Sequence, residues 1–399
     1  MLFRFDRYSI DVDRRELRRG TVLIEIGPQV FDLLVYLIRN RERVVSKDDL
    51  LDAIWKGRIV SESTLTSRIN AARRAIGDTG ADQNLIKTIA RKGFRFTGEV
   101  EEGERALLQA FGERAEAAAP SLRQEVQFCT AADGVRIAYA VVGNGPPLVK
   151  TANWLNHLEY DWQGPIWSHL LRAMAARYRL VRYDARGNGL SDWDVSDISL
   201  EAFVSDLETV VDAVGLEKFS LLGISQGCAV SIAYAVRHPE RITRLVLYGG
   251  YARGRRKRGQ LSEIAQADAL ATLIRAGWGQ ENPAYRQIFT SRFIPGATPE
   301  QALWFNELQR ITTTPDNAAR IRGALDDMDV TGLLASVRAP TLVLHCRNDA
   351  VQPFEEGRRM AAGISGARFL ALEGGNHLIL EHEPAWRRFL DEITHFLGA

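Results

Sequence analysis

The chain has 399 residues, 46% hydrophobic and 25% charged, with a net charge of +1, a composition typical of a soluble globular protein with room for two domains and at least one large core. Apolar runs such as residues 245–247 are far too short to span a membrane, residues 1–4 carry no secretion-signal pattern, and Cys129, Cys228 and Cys346 have neither disulfide-framework nor zinc-ligand spacing. No cofactor or metal is therefore expected, and the cytoplasm is the expected location. The charge is uneven: residues 1–100 hold 19 Lys and Arg against 14 Asp and Glu, or +5, which leaves −4 for the remainder.

Residues 2–10 and 21–26 alternate like short strands on either side of a charged turn. From Pro28 to Asn40, the apolar Val30, Phe31, Leu34, Leu37 and Ile38 recur at helical spacing behind an opening proline. Ser46-Lys47-Asp48-Asp49 reads as a capping segment ahead of Leu50, Leu51, Ile54 and Trp55. A third helix is expected over residues 61–76, stopping at Gly77. Residues 86–89 and 94–97, separated by Ala90-Arg91-Lys92-Gly93, read as a hairpin.

Three helices followed by a hairpin form a winged-helix pattern. Pro28-x-x-Phe31-x-Leu33-Leu34, Val44-Val45-Ser46-Lys47-x-x-Leu50 and Lys92-Gly93-Phe94-Arg95-Phe96 resemble the OmpR/PhoB-type output domain of bacterial transcription factors across residues 1–100. The resemblance implies double-stranded DNA as a partner, with the third helix in the major groove and the hairpin on the backbone or minor groove. Beside Leu65, Ile69 and Ala72, the DNA-facing candidates are Ser63, Thr64, Ser67, Arg68, Asn70, Arg73 and Arg74, with Arg91 and Lys92 at the wing tip. Arginine and asparagine suit base edges, while hydroxyls and other cations suit phosphates. The wing arginine usual in this family falls on Ala90 here.

Residues 101–121 are Glu/Ala-rich, end on Pro120-Ser121 and read as a polar linker to a second domain over residues 122–399. From there, strand and helix patterns alternate, implying an α/β fold with a mostly parallel sheet covered on both faces. Strands are expected at 148–150, 179–183, 219–222, 245–248, 341–345 and 368–372; over residues 251–325 the strand signal gives way to helix, where a cap would sit.

Gly223-Ile224-Ser225-Gln226-Gly227 falls between a strand pattern and a helix-compatible run, as a nucleophile elbow does. Acyl transfer by a serine needs a base to take its proton and an acid to hold that base. Asp349 follows the strand at 341–345, and His377 lies 28 residues later in Gly374-Gly375-Asn376-His377. Ser225, Asp349 and His377 thus occur in nucleophile, acid, base order, a placement that His157, His238 and His345 lack. With Asp184-x-Arg186-Gly187-x-Gly189-x-Ser191, these motifs resemble an α/β-hydrolase domain with a helical cap over about residues 122–399.

The His-Gly pair usual after the first parallel strand of that family is Ala152-Asn153 here. Oxyanion donors are accordingly expected from the backbone amides of Asn153 or Trp154 together with Gln226. The aromatic stretch 154–162 is expected to line the ligand pocket, with Trp154, His157 and Tyr160 as contacts; for Trp162 and Trp167 core packing is equally open. Residues 253–258, Arg-Gly-Arg-Arg-Lys-Arg, fit either an anion-attracting site or a solvated face. The aromatic stretch with Arg182-Tyr183-Asp184 looks like a subgroup of hydrolase domains fused to bacterial signalling outputs, which implies a sensor. The expected whole is a homodimeric DNA-binding regulator that senses a small, largely apolar ester, lactone or carboxylate, with or without slow hydrolysis. The alternatives are a serine esterase or lactonase with an accessory winged helix, and a pure receptor.

Overall fold

Asp6 and Arg15 take left-handed backbone angles, φ 49° and 55°, and each lies where the chain reverses. Instead of one strand over residues 2–10, the first segment is therefore a meander of β1 (Leu2–Phe5), β2 (Tyr8–Asp11), β3 (Glu16–Arg19) and β4 (Val22–Ile24). Aspartate enters this backbone region more readily than most residues. The sequence mark of the turn is slight: Asp6-Arg7 interrupts the alternation by one residue, so that the buried positions pass from Phe3 and Phe5 to Tyr8 and Ile10.

The computed structural model describes residues 2–12, 14–20, 22–55, 62–102 and 122–398. The chain divides into two compact units, Met1–Ala117 and Ala118–Ala399. Ser61 and most of the expected linker, from Gly103 onward, lie outside the described residues.

In the first unit β7 (Glu101–Glu102) completes an antiparallel sheet of order β4-β3-β2-β1-β7. Three helices follow the meander: α1 (Pro28–Arg39), α2 (Lys47–Trp55) and α3 (Glu62–Ala75). Ser46 Oγ accepts the Asp49 amide, and the Asp49 carboxylate accepts the Ser46 amide, a reciprocal cap that starts α2. Phe3, Phe5, Ile10, Leu33, Leu37, Leu50, Leu65, Ile69 and Phe96 are among the residues of one buried core. The wing hairpin is β5 (Ile86–Ile89) and β6 (Gly93–Phe96). Its root needs Gly93, at φ 136°, because a Cβ there would lie 2.0 Å from the Val45 carbonyl oxygen. That approach lets Val45 and Phe94 exchange two backbone bonds of 2.8 Å, which tie the wing to the start of α2.

The second unit is built on an eight-stranded sheet of order β15-β14-β13-β12-β10-β11-β9-β8. Antiparallel β8 (Glu125–Thr130) and β9 (Arg136–Val142) form one edge. The parallel run comprises β10 (Pro147–Lys150), β11 (Arg179–Tyr183), β12 (Phe219–Ile224), β13 (Ile242–Tyr248), β14 (Thr341–Cys346) and β15 (Arg368–Leu372). From β10 the chain proceeds first to β11 on one side and later to β12 on the other. A crevice at the strand ends beside such a reversal is where open α/β sheets place ligands. Helices α4 (Leu158–Gln163), α5 (Ser168–Ala175), α6 (Leu200–Ala213) and α7 (Gly227–Arg237) connect these strands.

Between β13 and β14 comes a helical excursion: α8 (Leu261–Gly277), α9 (Ala284–Phe293), α10 (Pro299–Thr312) and α11 (Pro315–Asp327). It leaves and rejoins the sheet at a neck, where the backbones of Arg253 and Asp329 form an antiparallel bridge, the Gly254 amide donating to Met328 O and the Val330 amide to Ala252 O. Helices α12 (Phe354–Gly363) and α13 (Pro384–Leu397) complete the unit. Among the described residues no helix is long and apolar enough to cross a membrane.

Candidate functional site

Ser225 sits on the turn between β12 and α7 with φ 56°, a left-handed conformation costly for a side-chain-bearing residue. Its neighbours make the turn possible. A Cβ on Gly223 would come within 2.7 Å of Ser231 Oγ and 2.8 Å of Gly227 O. The Ser225 amide is anchored to Tyr248 O at 2.9 Å, so the strain is held by the adjacent strand.

His377 Nε2 lies 2.9 Å from Ser225 Oγ, and His377 Nδ1 lies 2.7 Å from Asp349 Oδ2. With Nδ1–H donated to the carboxylate, Nε2 is left to accept the serine proton. The other Asp349 oxygen accepts the amides of Val351 and Gln352 at 2.8 and 2.9 Å. Burial alone would raise this carboxyl, but the charge and hydrogen bond of His377, the charge of His345 and the Gln352 amide together hold it below the ordinary range. His345 Nε2 lies 3.6 Å from Asp349 Oδ2 and 3.2 Å from Gln352 O, and burial lowers its own pKa.

Asn153, Trp154 and Gln226, the oxyanion candidates, line one cavity beside the elbow. Trp154 also meets the cap: it stacks on Trp278 at 5.8 Å, faces the edges of Phe289 and Phe293, and lies under the Arg322 guanidinium. His157 and Tyr160 are not among the residues lining that cavity. His157 caps α4, its Nδ1 accepting the Tyr160 amide, and the Tyr160 ring stacks on Trp304 at 4.1 Å.

On α3 the buried Leu65, Ile69, Ala72 and Ile76 leave Ser63, Ser67, Arg68, Asn70 and Arg74 exposed and Thr64 half-buried; Arg91 and Lys92 are exposed on the wing. Arg73 corrects the expectation of a DNA-facing residue. It is buried, with Nε and a terminal nitrogen donating to Ile86 O at 3.1 and 2.7 Å and the same terminal nitrogen to Thr88 Oγ1 at 2.8 Å. It staples the helix to the wing because its position faces β5 rather than solvent. Asp78, which the motif reading passed over, accepts the amides of Thr79, Asn84, Leu85 and Ile86 and shapes the turn between them.

The alpha/beta hydrolase family model matches residues 143–388, more than half of the chain. The chain belongs to the alpha/beta hydrolase family. Ahead of that domain, residues 20–96 match the C-terminal domain of transcriptional regulatory proteins, the OmpR/PhoB-type winged helix. The AB hydrolase superfamily protein YisY of Bacillus subtilis is 27% identical over 59% of this chain and 86% of its own length. Pyrrolizixenacetamide deacetylase of Xenorhabdus hominickii is 24% identical over 62% of this chain and 90% of its own. Among solved structures, a hydrolase from Pseudomonas aeruginosa is similar with a TM-score of 0.58 and 26% identity, covering 69% of this chain and 99% of that one. An esterase from Exiguobacterium antarcticum shares the fold with a TM-score of 0.58 and 24% identity, covering 68% and 99%.

Where the family's His-Gly pair would stand, this alpha/beta hydrolase builds its loop on buried charge. The Lys150 ammonium donates to Asn153 Oδ1 and lies over the Trp167 ring, while Asn153 Nδ2 donates to Trp154 O. Burial pulls Lys150 below its ordinary value, against the partial support of Asp161, and pushes Asp161 above the ordinary carboxylate range. Asp184 accepts the amides of Leu158 and Leu190 and the Asn156 side chain, and Arg182 lies over the ring of Trp162. Lys150, at the end of the apolar β10, and Arg182, inside β11, were the available sequence signal for this cluster. The arginine run at the neck is paired within the domain: Arg253 with Glu356, Arg255 with Asp326, Arg256 with Asp268 and Asp327, and Arg258 with Glu263.

Proposed function

We propose that the chain is a cytoplasmic, homodimeric transcription regulator. Its winged helix binds double-stranded DNA, and its hydrolase domain binds a small, largely apolar ester, lactone or carboxylate. The observation that carries this reading is the pairing, in one chain, of a transcription-regulator winged helix with a Ser225–His377–Asp349 chain at hydrogen-bond distances. Ser67, Arg68, Asn70 and Arg74 form the exposed reading face of α3, with Arg91 and Lys92 on the wing. Paired winged helices gain avidity on repeated half-sites.

At the hydrolase site, Ser225 Oγ attacks the ligand carbonyl as its proton passes to His377 Nε2. The backbone amides around Asn153, Trp154 and Gln226 receive the oxyanion. The alkoxide leaves with the proton from His377, and water, activated by the same imidazole, releases the acid from Ser225. The signal itself is binding, because a ligand shifts a two-state equilibrium through its differential affinity for the two states and needs no turnover.

The second reading is a serine esterase or lactonase with an accessory winged helix. It is favoured by the assembled triad and by the deacetylase named among the relatives. A p-nitrophenyl ester assay run beside a DNA-shift assay separates the two. Ser225→Ala should lose ester turnover while keeping ligand-dependent DNA binding. Loss of the DNA response despite normal ligand binding would make the acyl-enzyme the signal, and turnover without any DNA binding would favour the esterase.

A further inference from the structure

Three polar side-chain atoms on residues lining the cavity beside the elbow have no hydrogen-bond partner among the described residues: Trp154 Nε1, Asn188 Oδ1 and Gln226 Oε1. The three residues are buried, with 4%, 1% and 6% of their surface exposed. Buried polar atoms nearly always find partners, so three orphans around one cavity call for an occupant that meets them. The rest of the wall includes the apolar Phe203, Val230 and Ile321. Asn188 Nδ2 donates to Arg186 O at 3.3 Å, which sets its oxygen as the group left over.

The set of orphans has a definite chemistry: one indole N–H, which only donates, and two amide oxygens, which only accept. A saturated alkyl chain satisfies none of them. A carboxylate satisfies Trp154 but sets its own oxygens against that of Asn188, whose orientation is fixed by its bond to Arg186 O. A secondary amide satisfies both kinds, its carbonyl accepting from Trp154 and its N–H donating to Gln226 or Asn188. Ser225 does not itself line the cavity, but Gln226 follows it directly and Trp154 belongs to the expected oxyanion loop, so a ligand held at the elbow would reach the cavity with its acyl side.

We propose that this cavity is a subsite for an amide group on the acyl chain of the ligand, an inference that rests on the reading of the hydrolase domain as an acyl-ligand site. The free space is about 10 Å³, room for about one water, so the wall residues must move apart when the amide enters. Ile321, on α11, is the wall residue that the cap contributes.

The test uses two esters of equal acyl length, p-nitrophenyl N-acetylglycinate and p-nitrophenyl pentanoate, with the full-length protein. Their kcat/KM ratio is compared between wild type, Trp154→Phe, Asn188→Leu and Gln226→Met, which cancels the intrinsic reactivity of the esters. Each variant should shift the ratio toward pentanoate by about three- to tenfold, the worth of one hydrogen bond. Calorimetric binding of N-acetylglycine and pentanoate to Ser225→Ala should show the same preference without turnover. A ratio unchanged in all three variants overturns the amide subsite and leaves water as the occupant. Failure to hydrolyse or bind either compound would instead overturn the ligand-site reading beneath it, and the subsite with it.

Discussion

Arg73 and Arg68 lie on the same helix, yet only Arg68 faces solvent. Arg73→Met would strip Ile86 O and Thr88 Oγ1 of their shared guanidinium and leave the buried Ile86 carbonyl poorly satisfied, while the exposed Thr88 turns to water. Its expected cost is about 2–4 kcal/mol of winged-helix stability, read by chemical denaturation. Arg68→Ala should leave the denaturation midpoint almost unmoved and weaken specific DNA binding by about 1–3 kcal/mol in a shift assay. Asp349 makes a second residue-level prediction. A carboxyl held below its ordinary range stabilises the fold; that contribution is fully present above about pH 4, the unfolded value, and is lost as pH falls through the depressed folded value. Asp349→Asn should therefore flatten the acid limb of hydrolase-domain stability, measured as the unfolding midpoint against pH. The same change withdraws the acceptor that orients His377, so any ester turnover should fall on the order of 10,000-fold.

Among the elements, the neck arginines join the cap to the loop that carries the acid. Arg255 pairs with Asp326 of α11 and donates to Val351 O, while Arg258 donates to Gln352 Oε1. Val351 and Gln352 are the residues whose amides hold Asp349. Breaking a buried ion pair by removing one partner is strongly destabilising, so Arg255→Met should cost the hydrolase domain about 3 kcal/mol in urea unfolding. It should also speed protease cleavage within α8 to α11. This network was not legible in the residues: Arg-Gly-Arg-Arg-Lys-Arg reads as a charge run, and its partners lie far along the chain. The elbow was legible because its conformation demands small neighbours at fixed offsets, and chain order then pointed to Asp349 and His377, which the structure brings to Ser225. On α3, the spacing of Leu65, Ile69 and Ala72 located the buried stripe, but Arg73 lies beside that stripe under a hairpin whose packing no periodicity encodes. In the first segment, the Asp6 reversal was marked only by the one-residue slip of the alternation at Asp6-Arg7, a signal that a reading of period two for a single strand passes over.

For the whole molecule, each compact unit has its own buried residues, and the first encloses a contiguous core of its own. Residues 1–102 and 122–399, produced separately, should each unfold cooperatively. The first should shift DNA without responding to any ester, and the second should still label at Ser225 with a fluorophosphonate; failure of either fragment to fold would show that the units depend on one another. The neck of the cap has a consequence of a different kind. Residues 254–328 enter and leave through backbone bonds that join the two sides of the excursion directly, Gly254 to Met328 and Ala252 to Val330. One contiguous stretch of gene therefore encodes the whole helical excursion. Under the proposed function, exchanging the helices of that stretch while keeping Arg255 and Arg258 at its neck would change the compound answered and leave the sheet, the catalytic loops and the winged helix in place.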